Sequence, residues 1–255
     1  MPTAINQGIK IFYQVDGEGP PLVLLGGFPG STADMYDFGY VENLKQDFKI
    51  ILIDPRGFGQ SDKPHEAAQY SMQLFVDDIM AVLNQLSIEK CHVYGHSMGG
   101  WFAYGLAKYY PNRLNSLIIS DGVPGYGDPE LIREVLGKFD EFVQSIGGLT
   151  AAPKERWLKN DLEALAAIGD WVEQDIQSII QLVDTVIDDI RVPCLVLMSN
   201  LPEDSDEFKL LNKTAATVPH AQSEEFNELS HLELYFRSDL VLPKIKEFLQ
   251  KINDT

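Results

Sequence analysis

Cysteine is nearly absent from the chain: two in 255 residues, Cys91 and Cys194. Each opens a segment that reads as a buried strand, where free cysteine behaves as a small hydrophobe. A disulfide scaffold is therefore excluded, and a reducing, cytoplasmic setting is expected. Basic charge is scarce as well, with 20 Lys and Arg against 38 Asp and Glu and a formal net charge of −18. A surface of that sign repels phosphate backbones and anionic lipid, so neither nucleic acid nor a membrane is an expected partner. No apolar run approaches the ~20 residues that span a bilayer. The opening Met1-Pro2-Thr3-Ala4-Ile5-Asn6-Gln7 carries neither a basic patch nor an apolar stretch, so no secretory signal is expected. Internal repeats and low-complexity segments are also missing. What remains is a chain 45% hydrophobic, enough for one large core or a core with a small lid.

Strand and helix signals alternate along that chain. Ile9 to Val15 reads as a strand, and Leu22-Val23-Leu24-Leu25 is a continuous apolar run of the kind covered on both faces. A helix is predicted over about 33–46, followed by the strand Lys49 to Ile53. Ser71 caps a helix carrying Leu74, Phe75, Ile79, Val82, Leu83 and Leu86 at helical spacing. Further strands are predicted at Cys91 to Tyr94, Leu117 to Ile119, Val192 to Met198 and Gln222 to Phe226. Helices are expected over Trp101 to Tyr110, from near Ser205, and up to about Ile252. Residues 122–190 break the alternation with amphipathic helical sequence. Repeated βα units predict a doubly wound, mostly parallel sheet, with 1–121 and 191–255 as the core and 122–190 as an inserted helical cap.

In an open sheet of this kind ligands bind beyond the carboxyl ends of the strands, which directs attention to five loops. One of them reads Gly95-His96-Ser97-Met98-Gly99-Gly100. A G-x-S-x-G pattern between a strand and a helix is a nucleophile elbow, a sharp turn that lifts the serine hydroxyl clear of the sheet. A serine hydroxyl needs an adjacent base to take its proton, and the base needs a carboxylate to fix its tautomer. Of the five histidines, only His231 lies just past the carboxyl end of the last strand. His92 lies inside the elbow strand, His96 is the elbow's own variable residue, His65 follows the Asp54 loop, and His220 precedes the last strand.

The order serine, acid, histidine places the acid between Ser97 and His231, preferably after the Val192 to Met198 strand. Glu203 is favoured there, then Asp204, with Asp121 at the end of the preceding strand as the rival. Asp206 and Glu207 read instead as first-turn helix charges. Negative charge on a reacting carbonyl oxygen calls for preset backbone donors. Met98 at the elbow helix and Phe28 in Gly26-Gly27-Phe28-Pro29-Gly30 are the expected pair.

With these pieces in place the chain resembles the α/β-hydrolase superfamily along nearly its whole length. The matching segments are Gly27-Phe28-Pro29-Gly30-Ser31, Asp54-Pro55-Arg56-Gly57-Phe58-Gly59-Gln60-Ser61-Asp62-Lys63-Pro64, Gly95 to Gly100, and Ser230-His231. They resemble the branch of carboxylesterases, enol-lactonases, carbon–carbon hydrolases, cofactor-free haloperoxidases and epoxide hydrolases. Serine at 97 argues against epoxide hydrolase and haloalkane dehalogenase chemistry, which use aspartate there. Two departures stand out. The family usually has His-Gly before Phe-Pro, whereas Gly26-Gly27 here lacks that bracing side chain. The usual Gly-x-x-Asp of the acid loop falls on Pro202 when counted from Pro193, and on Glu203 when counted back from Pro219.

The expected activity is cofactor-independent, metal-free hydrolysis of a small or medium carboxylic ester or lactone through an acyl-enzyme on Ser97. Carbon–carbon bond hydrolysis or perhydrolysis is the alternative on the same fold. The former needs a cation for a carboxylate, and Arg133, Lys138, Lys154, Arg156 and Lys159 offer no single candidate. A non-catalytic ligand-binding or signalling protein is the alternative of another class. In the cap, Phe139, Phe142, Trp157, Leu158, Trp171 and Val172 are expected mostly to pack the cap and its seat on the body, the remainder lining an apolar pocket.

Overall fold

The predicted alternation of strands builds one sheet in a computed structural model that describes residues 2–122 and 137–253. Eight strands among the described residues run in the order β1-β2-β4-β3-β5-β6-β7-β8. They are β1 (Thr3–Asn6), β2 (Ile9–Asp16), β3 (Pro21–Leu25), β4 (Lys49–Ile53), β5 (Cys91–His96), β6 (Leu114–Ser120), β7 (Cys194–Ser199) and β8 (Gln222–Phe226). β2 pairs antiparallel with β1 and β4, and every other pairing is parallel. The apolar runs have the reason expected of them, since alternate residues of one strand enter opposite cores. Val23, Leu25, Ile51 and Val93 lie in one cluster, while Leu22, Leu24, Ile50 and Tyr94 lie in the other.

Two local readings change. β1, short and only partly buried, carries too little pattern to be read from sequence. The single helix predicted over 33–46 is two, α1 (Thr32–Asp37) and α2 (Tyr40–Leu44), because Gly39 between them takes φ 80°. α3 (Met72–Gln85) begins as predicted, with the Ser71 hydroxyl accepting from Leu74 N–H. It is bound to the loop after β4 by a buried ion pair, in which Arg56 Nε and Nη2 each donate to Asp78 at 2.7 Å. Asn6 of β1 donates to the same carboxylate at 2.7 Å, so one carboxylate joins three elements.

Between β6 and β7 lie α5 (Phe139–Ser145), α6 (Ala151–Trp157) and α7 (Leu162–Val186), the last capped by the Asp161 carboxylate on Glu163 and Ala164 N–H. Phe139, Trp157, Trp171 and Val172 are buried in the larger cluster, with Phe142 and Leu158 packed against it. Trp171 meets Phe75 of α3 at a centroid distance of 5.3 Å, so the long helix is seated on the sheet's own helices. Arg133 lies outside the described residues. The chain closes with α8 (Asp206–Thr217), α9 (His231–Phe236) and α10 (Ser238–Asn253).

Candidate active site

The strand order determines what can meet at the carboxyl edge. From β3 the chain crosses to β4 on one side, and β5 pairs with β3 on the other. The loops leaving β3 and β5 therefore open side by side at the switch point where such sheets bind ligands. Leu25 pairs with Gly95, so the segment Gly26–Ser31 and Ser97 leave the sheet together.

Ser97 sits between β5 and α4 (Met98–Tyr109) at φ 53°, ψ −120°. For a non-glycine residue that conformation costs on the order of 1–3 kcal/mol, and it turns the side chain away from the sheet. The flanking glycines are sterically required. A Cβ at Gly95 would run into the Gly99 carbonyl, and one at Gly99 into the carbonyls of Leu25 and Gly26. The helix starts at Met98, earlier than the predicted Trp101, because these glycines let the backbone wind at once. Met98 N–H belongs to the first turn, whose amides have no partner within the helix and carry the positive end of its dipole.

The segment after β3 crosses directly over this turn. A Cβ at Gly27 would lie 3.0 Å from Ser97 Cβ. Beyond it, Gly30 N–H donates to the Gly27 carbonyl at 2.8 Å, and Phe28 rests edge-on against Phe58 at 6.1 Å. The Asp54 carboxylate accepts from Thr32 N–H at 2.7 Å and Gln60 N–H at 2.8 Å, joining this segment to the loop after β4. A cleft beside it is lined largely by apolar groups, among them Ile53, Pro55, Phe58 and Met98.

His231 is the first residue of α9. Its backbone is held by a capping box in which Glu233 accepts from Ser230 N–H at 2.9 Å while the Ser230 hydroxyl faces Glu233 N–H. Nδ1 of His231 lies 3.3 Å from Oδ2 of Asp121, a carboxylate almost fully buried at the end of β6. Asp121 takes φ 42°, and its other oxygen accepts from Ser199 N–H at 2.9 Å. The expectation for the acid is corrected here. Glu203 and Asp204 are exposed in the turn after β7, and the carboxylate in reach of the imidazole is Asp121. The reason is topological. β6 is the immediate neighbour of β5, with His96 opposite Ser120, so Asp121 leaves the sheet beside Ser97, whereas β7 lies one strand further out. Asp206 and Glu207 take the first turn of α8, as expected.

Behind the histidine is an aromatic stack. His96 lies parallel to Tyr235 at 4.7 Å and tilted against His231 at 4.8 Å. Burial, helped by the nearby His231, holds the His96 imidazole well below its ordinary pKa, so it is neutral. The Tyr235 hydroxyl occupies the space a side chain at position 26 would need. Gly26 thus leaves room for the Tyr235 ring of α9.

The α/β hydrolase fold family model matches residues 20–189. The chain belongs to that family. It is 27% identical to the cis-3-alkyl-4-alkyloxetan-2-one decarboxylase of Shewanella oneidensis, over 96% of this chain and 86% of the relative. It is 32% identical to human epoxide hydrolase 4 over 117 residues, 45% of this chain and 32% of that protein. Among solved structures it is similar to the enol-lactonase of Burkholderia xenovorans, with TM-score 0.79, 19% identity, and 98% and 100% of the two chains covered. The chain spans about a third of the length of the human relative, and 44% of a Bacillus subtilis relative that is 33% identical.

The sequence reading missed the stack of His96 and Tyr235, and the contacts of Asp34 with Trp157. For Tyr235 the signal was its spacing of four residues from His231 on a helix, which puts both on one face. No described helix is long and apolar enough to cross a membrane, and no group of three His, Cys, Asp or Glu among the described residues could hold a metal ion.

Proposed function

We propose that the chain is a serine hydrolase acting on a small or medium carboxylic ester or lactone, with Ser97 as nucleophile, His231 as general base and Asp121 as the acid. The observation that carries the reading is the meeting of three loops at one edge. A strained serine at φ 53° stands beneath a glycine segment so close that a Cβ added at Gly27 would lie 3.0 Å from Ser97 Cβ, and a histidine nearby faces a buried aspartate. With the Nδ1 proton donated to Asp121, Nε2 is left as the acceptor for the Ser97 proton. Ser97 Oγ attacks the carbonyl carbon, and the proton passes to His231. The tetrahedral oxyanion is held by the N–H groups of Phe28 and Met98. His231 then returns the proton to the leaving alkoxide as the C–O bond breaks. Water, deprotonated by the same imidazole, attacks the acyl-enzyme and regenerates Ser97. The helices α5 to α7 serve as a cap, within residues 122–190, over the core of 1–121 and 191–255. The lactonase and esterase names among its structural neighbours agree with this chemistry.

Steady-state hydrolysis of 4-nitrophenyl acetate tests the assignment. Ser97→Ala and His231→Ala should leave only background turnover. Asp121→Asn should lower kcat by about 1,000- to 10,000-fold through the wrong tautomer, while Glu203→Gln and Asp204→Asn should stay within about twofold of the parent. A full loss in Glu203→Gln with an active Asp121→Asn would reverse the choice of acid.

A further inference from the structure

We propose that Asp34, Trp157 and Asn160 are positioning residues that hold the segment carrying Phe28 N–H, so that the inserted helices complete the oxyanion site from outside the sheet. The proposal rests on Phe28 N–H being an oxyanion donor. The segment Gly26–Ser31 has little of its own to fix it: three of its six residues are glycine, and it closes on itself through the Gly30 to Gly27 hydrogen bond. Its restraints come from elsewhere. Oδ2 of Asp34 accepts both from Ser31 N–H at 2.9 Å and from the indole N–H of Trp157 at 2.8 Å. Its other oxygen takes the Arg156 guanidinium, which also pairs with Asp37. Asn160, just past α6, donates from Nδ2 to the Pro29 carbonyl at 3.0 Å. Position 29 is thereby fastened to the insertion directly, and position 31 through Asp34 of α1, which bonds Arg156 and Trp157.

The form of the contact argues for a positioning role. Asp34 is fully buried and Trp157 nearly so, and a Cβ at Gly30 would meet the Asp34 carboxylate at 2.5 Å. An apolar pair would fill such a space at no desolvation cost, and buried ion pairs are a weak source of stability. What directed donors on both carboxylate oxygens supply is geometry, at a loop where an amide must already point at a developing charge. A movement of α6 then changes the position of Phe28 N–H, so the seating of these helices is coupled to the acylation step and not to binding alone.

The test uses the full chain, with kcat and KM for 4-nitrophenyl acetate, the second-order rate of inactivation by a fluorophosphonate, and thermal denaturation. Trp157→Phe keeps an aromatic ring while removing the indole N–H, and Asn160→Ala removes the other tether at a partly exposed site. Each should lower kcat and the phosphonylation rate together by about 10- to 100-fold, with KM within about twofold. Asp34→Asn, which still accepts from Ser31 and Trp157, should lose less than Asp34→Ala. Variants that lose only thermal stability, or raise only KM, while labelling at the parent rate would overturn the positioning role and leave the serine hydrolase reading intact. A parent protein that fails to label at Ser97 would overturn both.

Discussion

His96 shows how one residue can be structural and still leave a mark on behaviour. It is the variable position of the elbow, lies fully inside the protein, bonds Ser120 Oγ through Nδ1 at 3.1 Å, and supports the ring of His231. Its depressed pKa means that the unfolded chain binds a proton the folded chain does not. Above the ordinary value of 6.5 both forms are neutral and the term vanishes; as pH falls below 6.5 the unfolded state gains protons and native stability drops. His92, also lowered by burial, acts in the same direction. The buried carboxylates of Asp34, Asp54 and Asp78 are raised by burial, so their protonation opposes this trend only nearer the carboxylate range. The melting temperature should therefore fall between about pH 7.5 and 5.5, and His96→Asn should flatten that fall. Parallel curves for parent and variant would contradict the assignment.

Among the polar contacts that join elements of this fold, the Arg56–Asp78 ion pair is buried on both sides. Both side chains are almost wholly buried, the geometry is bidentate, and Arg56 also donates to the Gln69 carbonyl at 2.7 Å. Removing one partner strands the other charge, so Arg56→Met should cost about 3–5 kcal/mol in urea denaturation, and Arg56→Met with Asp78→Leu should recover most of it. Retained stability in the single variant would mean that solvent reaches Asp78. Element by element, the sequence was most legible where burial imposed a pattern. β3 and β4 carry the apolar runs Leu22 to Leu25 and Ile50 to Ile53 because both faces are covered, and α3 announces itself by Ser71 and its periodic face. It was least legible where a single backbone angle decides. Gly39 divides one periodic stretch into two helices, and a glycine does not declare its φ in advance.

At the scale of the molecule, sequence order and spatial order part company, and the acid loop is where that matters. The strand-to-helix turn at Ser97 could be read because its glycines and its setting are local. The carboxylate beside His231 is a relation between strands: which one meets the imidazole depends on β6 lying beside β5, a fact of sheet order that neither motif nor count from Pro193 or Pro219 contains. The same holds for Asp34 with Trp157, which are 123 positions apart and meet only once the insertion is seated. The net charge of −18 is spread over a fold whose reactive edge holds Asp121 with Glu207 close enough to feel it and His231. A field of that sign disfavours anionic ligands at this edge. The central claim is that this edge forms a covalent acyl intermediate on Ser97. Quenching the protein with acid during turnover of 4-nitrophenyl acetate, followed by peptide mass mapping, reads it directly. The account predicts an acetyl group on Ser97 in the parent and none in Ser97→Ala; turnover with Ser97 unmodified, or with the acetyl group on another residue, would contradict it.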